Sequence, residues 1–478
     1  MDKNGKKYPE IAQKSVNSGV QKISYHKITE LNLETTLFPT ESGRSLEWQL
    51  FLNHPLGHLY QTIPFRAITK LLPTKKNKSG AKGRFTPAGG LGLQILKHYY
   101  KQSDKKLIEQ LNTNWAMQLF CGIRLKHGEQ IKDEQVVGRW LYYFGLYLSF
   151  DLTEYTLAQS WSSQLEQTHV NLVDATCIES YVRYPTDAKL LWECVDYLWH
   201  QLKKLSRFLS LPMFRSKFKA IKKAYLAYSK LRRKSYQKTK SLKRRLLHLL
   251  TKLLGMTPKL IGYWKRTKPL KEKYPVKRNF YERLSTIKKV LQQQQLMFDQ
   301  GINKVKDRII SLAKPYLRPI VRGKENKRVE FGMKMNSMQV DGINFMEYGS
   351  FDAFHEGNRL KKTIWRHRRY FGALLQLGAD NIYRTNKNRK FCKEGGIFTD
   401  FVPKGRLGKN YKQQQLLRKV ISKERATRLE GSFGTVKNHY LLDKVKARKE
   451  HTERAWIFFG FLTANAVAMI KKTKPPPK

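Results

Sequence analysis

From residue 197 to residue 271 the chain contains no aspartate and no glutamate. Within this span and just after it, apolar side chains recur at helical spacing. One stripe is Phe214, Phe218, Ile221, Tyr225 and Tyr228, a second is Leu242, Leu246, Leu249 and Leu253, and a third is Phe280, Leu284, Ile287 and Leu291. Stripes of that period mark the buried seams of packed helices. What remains for the outer faces is lysine and arginine. A solvated helix face normally mixes charges of both signs, so a face of one sign over this length favours a polyanion opposite it. Residues 197–312 are therefore expected to form a basic helical module, with Arg232, Arg233, Arg244 and Arg245 as its phosphate contacts.

The charge balance of the whole chain points the same way. Lys and Arg number 93 against 37 Asp and Glu, a formal net charge of +56 over 478 residues. Solubility requires far less. Nucleic-acid phosphates are the simplest partner, because Lys and Arg release condensed counterions when they bind them. A membrane surface and a ribosomal-type RNA are the competing polyanions. At 40% hydrophobic and 12% aromatic residues, the composition is that of a globular protein and not of a disordered basic tail. The cysteines Cys121, Cys177, Cys194 and Cys392 form no C-x-x-C pair. That argues against a zinc knuckle or a disulfide framework and leaves buried thiols in a reducing compartment. The N-terminus, MDKNGKKYPE, has no apolar signal core. The most apolar C-terminal run, residues 455–470, contains Asn465 and falls short of the ~20 residues a membrane span needs. A buried helix, no membrane partner and a cytoplasmic location are expected.

Composition divides the chain into zones. Residues 1–152 read as a mainly helical N-terminal domain with a basic Gly/Pro/Lys loop at 71–87, where Lys82 and Arg84 are candidate DNA contacts. Ser103 and Asp104 form an N-cap signal there. Short helices beside a basic loop fit a helix-turn-helix, and equally any helical bundle. Residues 165–196 begin an α/β domain: a strand over 170–173 ends at Asp174, Ile178, Tyr181 and Tyr184 continue in extended style, and Pro185-Thr186-Asp187 reads as a turn with Asp187 as helix N-cap. Residues 313–470 complete that domain. A β-hairpin is expected with its turn near Asn336-Ser337 and its second strand over 340–345. A polar helix over 358–370, a strand over 371–377 leading to Asp380, and a helix follow. That last helix buries Leu429, Phe433 and Val436 and carries Glu430, Gly434 and Lys437 on a neighbouring face. Residues 471–478 are a basic Pro/Lys tail.

This order lets three carboxylates, Asp174, Asp380 and Glu430, meet at one edge of a sheet. Glu179 or Asp187 could replace the first, Glu424 the third, and Asp380 could be a loop residue before a helix. Three such oxygen donors suit Mg²⁺, a hard cation. Two ions about 4 Å apart would serve an in-line phosphoryl displacement.

The same residues carry a resemblance. VDATCIESYVRYPTDAKLLWE (173–193), GADNIYRTNKNRKFCKEGGI (378–397) and RLEGSFGTVKNHYLL (428–442) resemble the three catalytic blocks of DDE transposases from bacterial insertion sequences. PIVRGKENKRVEFGMK (319–334) resembles the second-strand segment of that group, and HPLGHLYQTIPF (54–65) with residues 83–124 resembles its N-terminal domain. The insertion-sequence-five-like group is the best match; the resemblance covers most of the chain and is weakest over 197–312. It implies an RNase H-like α/β fold, a mixed sheet with flanking helices, here interrupted by the basic helical insertion. It implies Asp174, Asp380 and Glu430 as catalytic metal ligands, with Tyr383, Asn388 and Arg389 following the second acid, and Arg389 and Lys437 are further candidate DNA contacts. It also implies two Mg²⁺ ions (Mn²⁺ as substitute), terminal inverted repeats and target DNA as substrates, a homodimer in the synaptic complex, and a nucleoid-associated location. Some relatives carry a large insertion just before the catalytic Glu. Here the interval 397–430 is too short for one, and the extra helices follow the first Asp instead. A nuclease of the same fold that cuts without joining, or a non-catalytic nucleic-acid binder, are the alternatives.

Overall fold

A computed structural model describes residues 46–73, 83–267, 279–321, 329–404 and 410–473. Among the described residues eight helices come first: α1 (Leu46–Asn53), α2 (Pro55–Thr62), α3 (Phe65–Lys70), α4 (Pro87–Tyr99), α5 (Asp104–Thr113), α6 (Trp115–Phe120), α7 (Gln135–Tyr147) and α8 (Phe150–Trp161). Strand β1 (Val170–Glu179) follows, then helices α9 (Asp187–Phe208), α10 (Phe218–Lys230), α11 (Tyr236–Thr267) and α12 (Phe280–Gln300). Next come β2 (Ile320–Val321), β3 (Val329–Glu330), β4 (Gly332–Val340) and β5 (Ile343–Ser350). The chain ends with α13 (Leu360–Phe371), β6 (Gln376–Ala379), α14 (Asn386–Glu394), β7 (Phe398–Thr399), α15 (Tyr411–Glu424), a π-helical turn at Arg425–Leu429, α16 (Glu430–His439) and α17 (Glu450–Thr473).

The described residues form two compact units. The first holds those up to Ser180 together with Met333–Ser350 and those from Phe354 onward. Its N-terminal helices start as the sequence signals: Thr86 accepts from Gly89 N ahead of Pro87, and Ser103 caps Lys106 N. Helix α17 is buried nearly all round, with Ala455, Ile457, Phe459 and Leu462 in the core. Phe459 meets Phe144 of α7, and Phe458 stacks on Phe150 of α8. Asn465 finds its partners across the core: its Nδ2 donates to Asn344 O at 2.6 Å and its Oδ1 accepts from Asn344 N at 3.1 Å. A buried amide is thus satisfied on both sides. No helix among the described residues is long and apolar enough to cross a membrane. Residues 471–473, expected as part of a tail, continue α17.

The sheet of this unit has the order β5-β4-β1-β6-β7. β4 and β5 are antiparallel, while β6 is parallel to β1 and β7 parallel to β6. Two sequence expectations move here. The hairpin turns at Asp341-Gly342, both with positive φ (47° and 83°), and not at 336–337. Asp-Gly is the preferred pair for a two-residue hairpin loop, and it outweighs the polar Asn336-Ser337, which instead takes up an irregularity in the register. The strand expected over 371–377 begins only at Gln376, because α13 runs to Phe371 and stops at Gly372 (φ 83°). The extended style read for Ile178 holds within β1, which passes through Asp174 and ends at Glu179, short of Tyr181 and Tyr184.

The second unit spans Tyr181–Gly332 with Phe351–Ala353. The three apolar stripes meet in one core: Phe218, Ile221, Leu242, Leu246, Leu249, Leu253, Phe280 and Ile287 are buried together. Trp199 stacks on Phe218 at 4.5 Å, and Trp192 stacks on Tyr225 at 4.9 Å. The helix starting at Asp187 has Thr186 in the cap position, so Asp187 is not the N-cap. Its carboxylate instead binds Lys243 (2.8 Å), Arg308 (2.6 Å) and Gln294 (3.0 Å), tying α9 to α11, α12 and the segment after it. Arg232, Arg233, Arg244 and Arg245 are exposed on this unit.

Candidate active site

In the parallel pair β1–β6, Val173 lies opposite Ala379. The next residues are Asp174 and Asp380, so two carboxylates leave neighbouring chains at one level. Asp380 opens the short turn Asn381–Tyr383, and Asp174 accepts the Ala175 N–H at 2.7 Å. Gly378, two residues before Asp380, lets α15 lie directly on β6: a Cβ there would come within 2.7 Å of Ile421 Cγ2. That close approach fixes the path of the chain that delivers the third acid.

Helix α15 does not run straight into α16. The π-helical turn Arg425–Leu429 lies between them. In a π-helix the hydrogen bonds close over five residues, so Arg425 and Glu430 face the same side, which a regular α-helix would not allow. The Arg425 guanidinium lies 3.0 Å from Asp174 Oδ2, 3.3 Å from Glu430 Oε1 and 3.9 Å from Asp380 Oδ1. Three acids from three separate segments thus share one cation. The Arg425 and Asp174 side chains are 13% and 16% exposed, whereas those of Asp380 and Glu430 are 49% and 56% exposed, so one side of the cluster opens to solvent.

Burial pushes the Asp174 carboxyl up to about 6; the Ala175 N–H and Arg425 oppose the rise, and Glu356 and Asp380 add to it. Glu356 is itself buried and paired with Lys334 at 2.6 Å. Behind Asp380 the loop is anchored. The Tyr383 hydroxyl donates to Asn336 Oδ1 at 2.5 Å, and Asn336 Nδ2 donates to Glu347 and Thr363. Asn388 Nδ2 donates to Tyr383 O and Gly357 O, both at 2.8 Å. Tyr383 and Asn388 therefore hold the turn that carries Asp380.

The alternative acids stand elsewhere. Glu424 pairs with Arg428 at 2.6 Å, Glu179 ends β1 five residues past Asp174, and Asp187 is the hub of the second unit. Of the proposed DNA contacts, Lys437 is on α16, its Nζ donating to Thr176 Oγ1 at 2.9 Å. Arg389 is occupied by the backbone: its Nε donates to Arg384 O and its Nη1 to Val402 O. Arg84 pairs with Glu129 at 2.5 Å, and Lys82 lies outside the described residues. Sequence reading missed Arg425 and Glu356. Five-residue spacing to Glu430 carries no signal unless the π-turn is known, and nothing in residues 351–359 marks Glu356.

Among the described residues, no three His, Cys, Asp or Glu side chains stand as metal ligands would around an ion; the Arg425 guanidinium stands between the acids. The donor chemistry nevertheless fits a hard divalent cation. All three side chains offer carboxylate oxygens, and they already converge on a positive charge.

A mixed sheet presenting carboxylates at one level of adjacent chains, with a third acid brought over by a helix, defines a carboxylate-centred α/β site. Residues 377–466 match the family described as Transposase DDE domain, and residues 44–141 match that described as Transposase domain (DUF772). Asp380 and Glu430 fall inside the first match; Asp174 lies in neither. No curated protein and no solved structure matches the chain. Both matches are to transposase domains, one of them of the DDE type, and together they support a DDE transposase of an insertion sequence.

Proposed function

We propose that the chain cuts DNA at the ends of its element and joins the freed 3′-hydroxyl to target DNA, with Asp174, Asp380 and Glu430 as the catalytic acids of an RNase H-like domain. The observation that carries this reading is the convergence of those three acids on Arg425. The strand order β5-β4-β1-β6-β7, with an antiparallel hairpin on one side of β1 and parallel strands on the other, supports the RNase H-like assignment.

Divalent cations held by the three carboxylates, Mg²⁺ or Mn²⁺, would supply Lewis-acid activation of the attacking and leaving oxygens. The protein's own part is positioning and charge. Asp174 and Asp380 are held at one level by the strand register, and the Tyr383–Asn336 bond fixes the turn behind Asp380. Lys437, bound to Thr176 two residues along β1 from Asp174, sets a positive charge beside the acids where a phosphodiester would lie. Asp174 must be ionised to act, which its position near 6 permits at neutral pH.

The test is strand joining. A duplex carrying the DNA that brackets the coding sequence is incubated with the protein, supercoiled plasmid and Mg²⁺. Joined end–plasmid products, abolished on addition of EDTA, are expected. Cut duplex without joined product would assign a nuclease instead, and duplex that is bound but never cut would assign a non-catalytic binder.

A further inference from the structure

Beside the acid cluster, in the same unit, lies a cleft of about 810 Å³ lined by Lys101, Lys437, Lys444, Lys446, Arg448 and Lys449, among others. Two acids also line it, Asp104 and Asp443. Asp104 is taken: it pairs with Lys97 at 2.5 Å, and Lys97 is buried with its Nζ 3.9 Å from the centre of the Trp456 ring. Among the described residues, Lys101, Lys444, Lys446 and Arg448 form no ion pair. Asp443 is the remaining lining acid, so cations outnumber acids here.

Their spacing is set by the backbone. Val445 bridges to Ser180 in parallel, and its N–H donates to Glu179 O at 2.8 Å, so this segment is fastened to the end of β1. Burial then alternates: Val445 and Ala447 point inward and are buried, while Lys444, Lys446 and Arg448 are exposed. Alternate residues of an extended chain stand roughly 6.6 Å apart on one side. Lys444, Lys446 and Arg448 thus make a row of cations on the exposed side of this segment. The cleft also connects to the acids: Lys437 lines it and reaches Thr176, which shares the alternating face of β1 with Asp174.

We propose that this cleft is a phosphate track for DNA, with Lys101, Lys444, Lys446 and Arg448 binding the backbone that flanks the phosphodiester presented to Asp174, Asp380 and Glu430. The contacts are to phosphates and carry no base readout. The proposal rests on the DNA-cutting reading above for its direction, but not for its test.

That test is binding by the full-length chain. The variant Lys101→Gln, Lys444→Gln, Lys446→Gln, Arg448→Gln is compared with the unaltered protein on a fluorescein-labelled duplex of random sequence over a range of salt. Each phosphate that the variant no longer neutralises should flatten the log–log slope by about 0.9, so a decrease of roughly 2 to 4 is expected, with a large drop in affinity at low salt. The far-UV spectrum and melting temperature should not change, because the four side chains are exposed. An unchanged slope with an intact fold would overturn the proposal. So would competition by inorganic phosphate at the same phosphate concentration as the duplex, since that would make the cleft a site for a small anion. If the variant melts early, Lys446→Cys carrying a photo-crosslinker replaces it: crosslinks to duplex support the track, and none overturns it. Wild-type protein that binds through the cleft yet never cuts would overturn the catalytic reading alone.

Discussion

Arg425 Nη1 lies 3.0 Å from Asp174 Oδ2 and 3.3 Å from Glu430 Oε1, so a single guanidinium neutralises acids that are 251 and 5 residues away in sequence. Replacing Arg425 by Ala leaves those acids facing one another. Breaking a buried ion pair from one side costs about 3–5 kcal/mol, and the half-exposed partners reduce this to roughly 2 kcal/mol. The variant should melt several degrees lower than the unaltered protein. Mn²⁺ should then raise its melting temperature more than it raises that of the unaltered protein, because ligand binding to the folded state adds stability. Equal melting temperatures, or an equal response to Mn²⁺, would contradict the role of Arg425 as the cation shared by the acids.

Asp174 gives a pH signature. Its carboxyl stays protonated in the folded protein up to about 6, whereas in the unfolded chain it ionises near 3.9. Between those values the folded state holds the extra proton, so its contribution to stability falls as pH rises from about 4 to 6 and is level above. Asp174→Asn removes that decline. The variant should gain on the unaltered protein across this window by at most about 3 kcal/mol and then run parallel to it. Cleavage by the unaltered protein should decline as pH drops through 6. A stability difference that does not vary with pH would show that burial does not perturb this carboxyl.

Gly434 sits one turn beyond Glu430 on α16, and a Cβ there would meet nothing within 4 Å. Packing therefore does not require the glycine. Gly434→Ala should stabilise the helix by up to about 1 kcal/mol. If a DNA backbone approaches α16 closely at this point, the same change should weaken duplex binding several-fold. A stabilised variant with unchanged affinity would place the DNA backbone away from Gly434.

The four arginines of the helical unit make a separate prediction. Replacing Arg232, Arg233, Arg244 and Arg245 by Gln should flatten the salt dependence of binding and weaken end and random duplexes alike. An unchanged slope on both would take this face out of the DNA interface.

What is legible in the sequence follows from which forces act locally. The apolar stripes of residues 197–312 and the cap at Ser103 are short-range patterns, and both appear in the structure as read. The Asp-Gly turn is equally local, but two polar residues five positions earlier compete with it for the turn when the sequence is read alone. The meeting of Asp174 and Asp380 depends on a strand register across more than 200 residues; the order of elements allows it, and the family resemblance singles out these two acids. Arg425 depends on a π-turn, which no periodicity announces. Asp187 reads as a cap because it follows Pro-Thr, yet tertiary partners on α11 and α12 claim its carboxylate.

The most direct measurement of the central claim is cleavage of a labelled duplex carrying the element's end, in Mg²⁺, by the unaltered chain and by Asp174→Asn, Asp380→Asn and Glu430→Gln. Each substitution removes a ligand charge and almost no volume. All three variants are predicted to bind the duplex within a few-fold of the unaltered protein and to cleave it at least a hundredfold more slowly. Cleavage at the unaltered rate in any one of them would contradict the assignment of that acid to the catalytic centre.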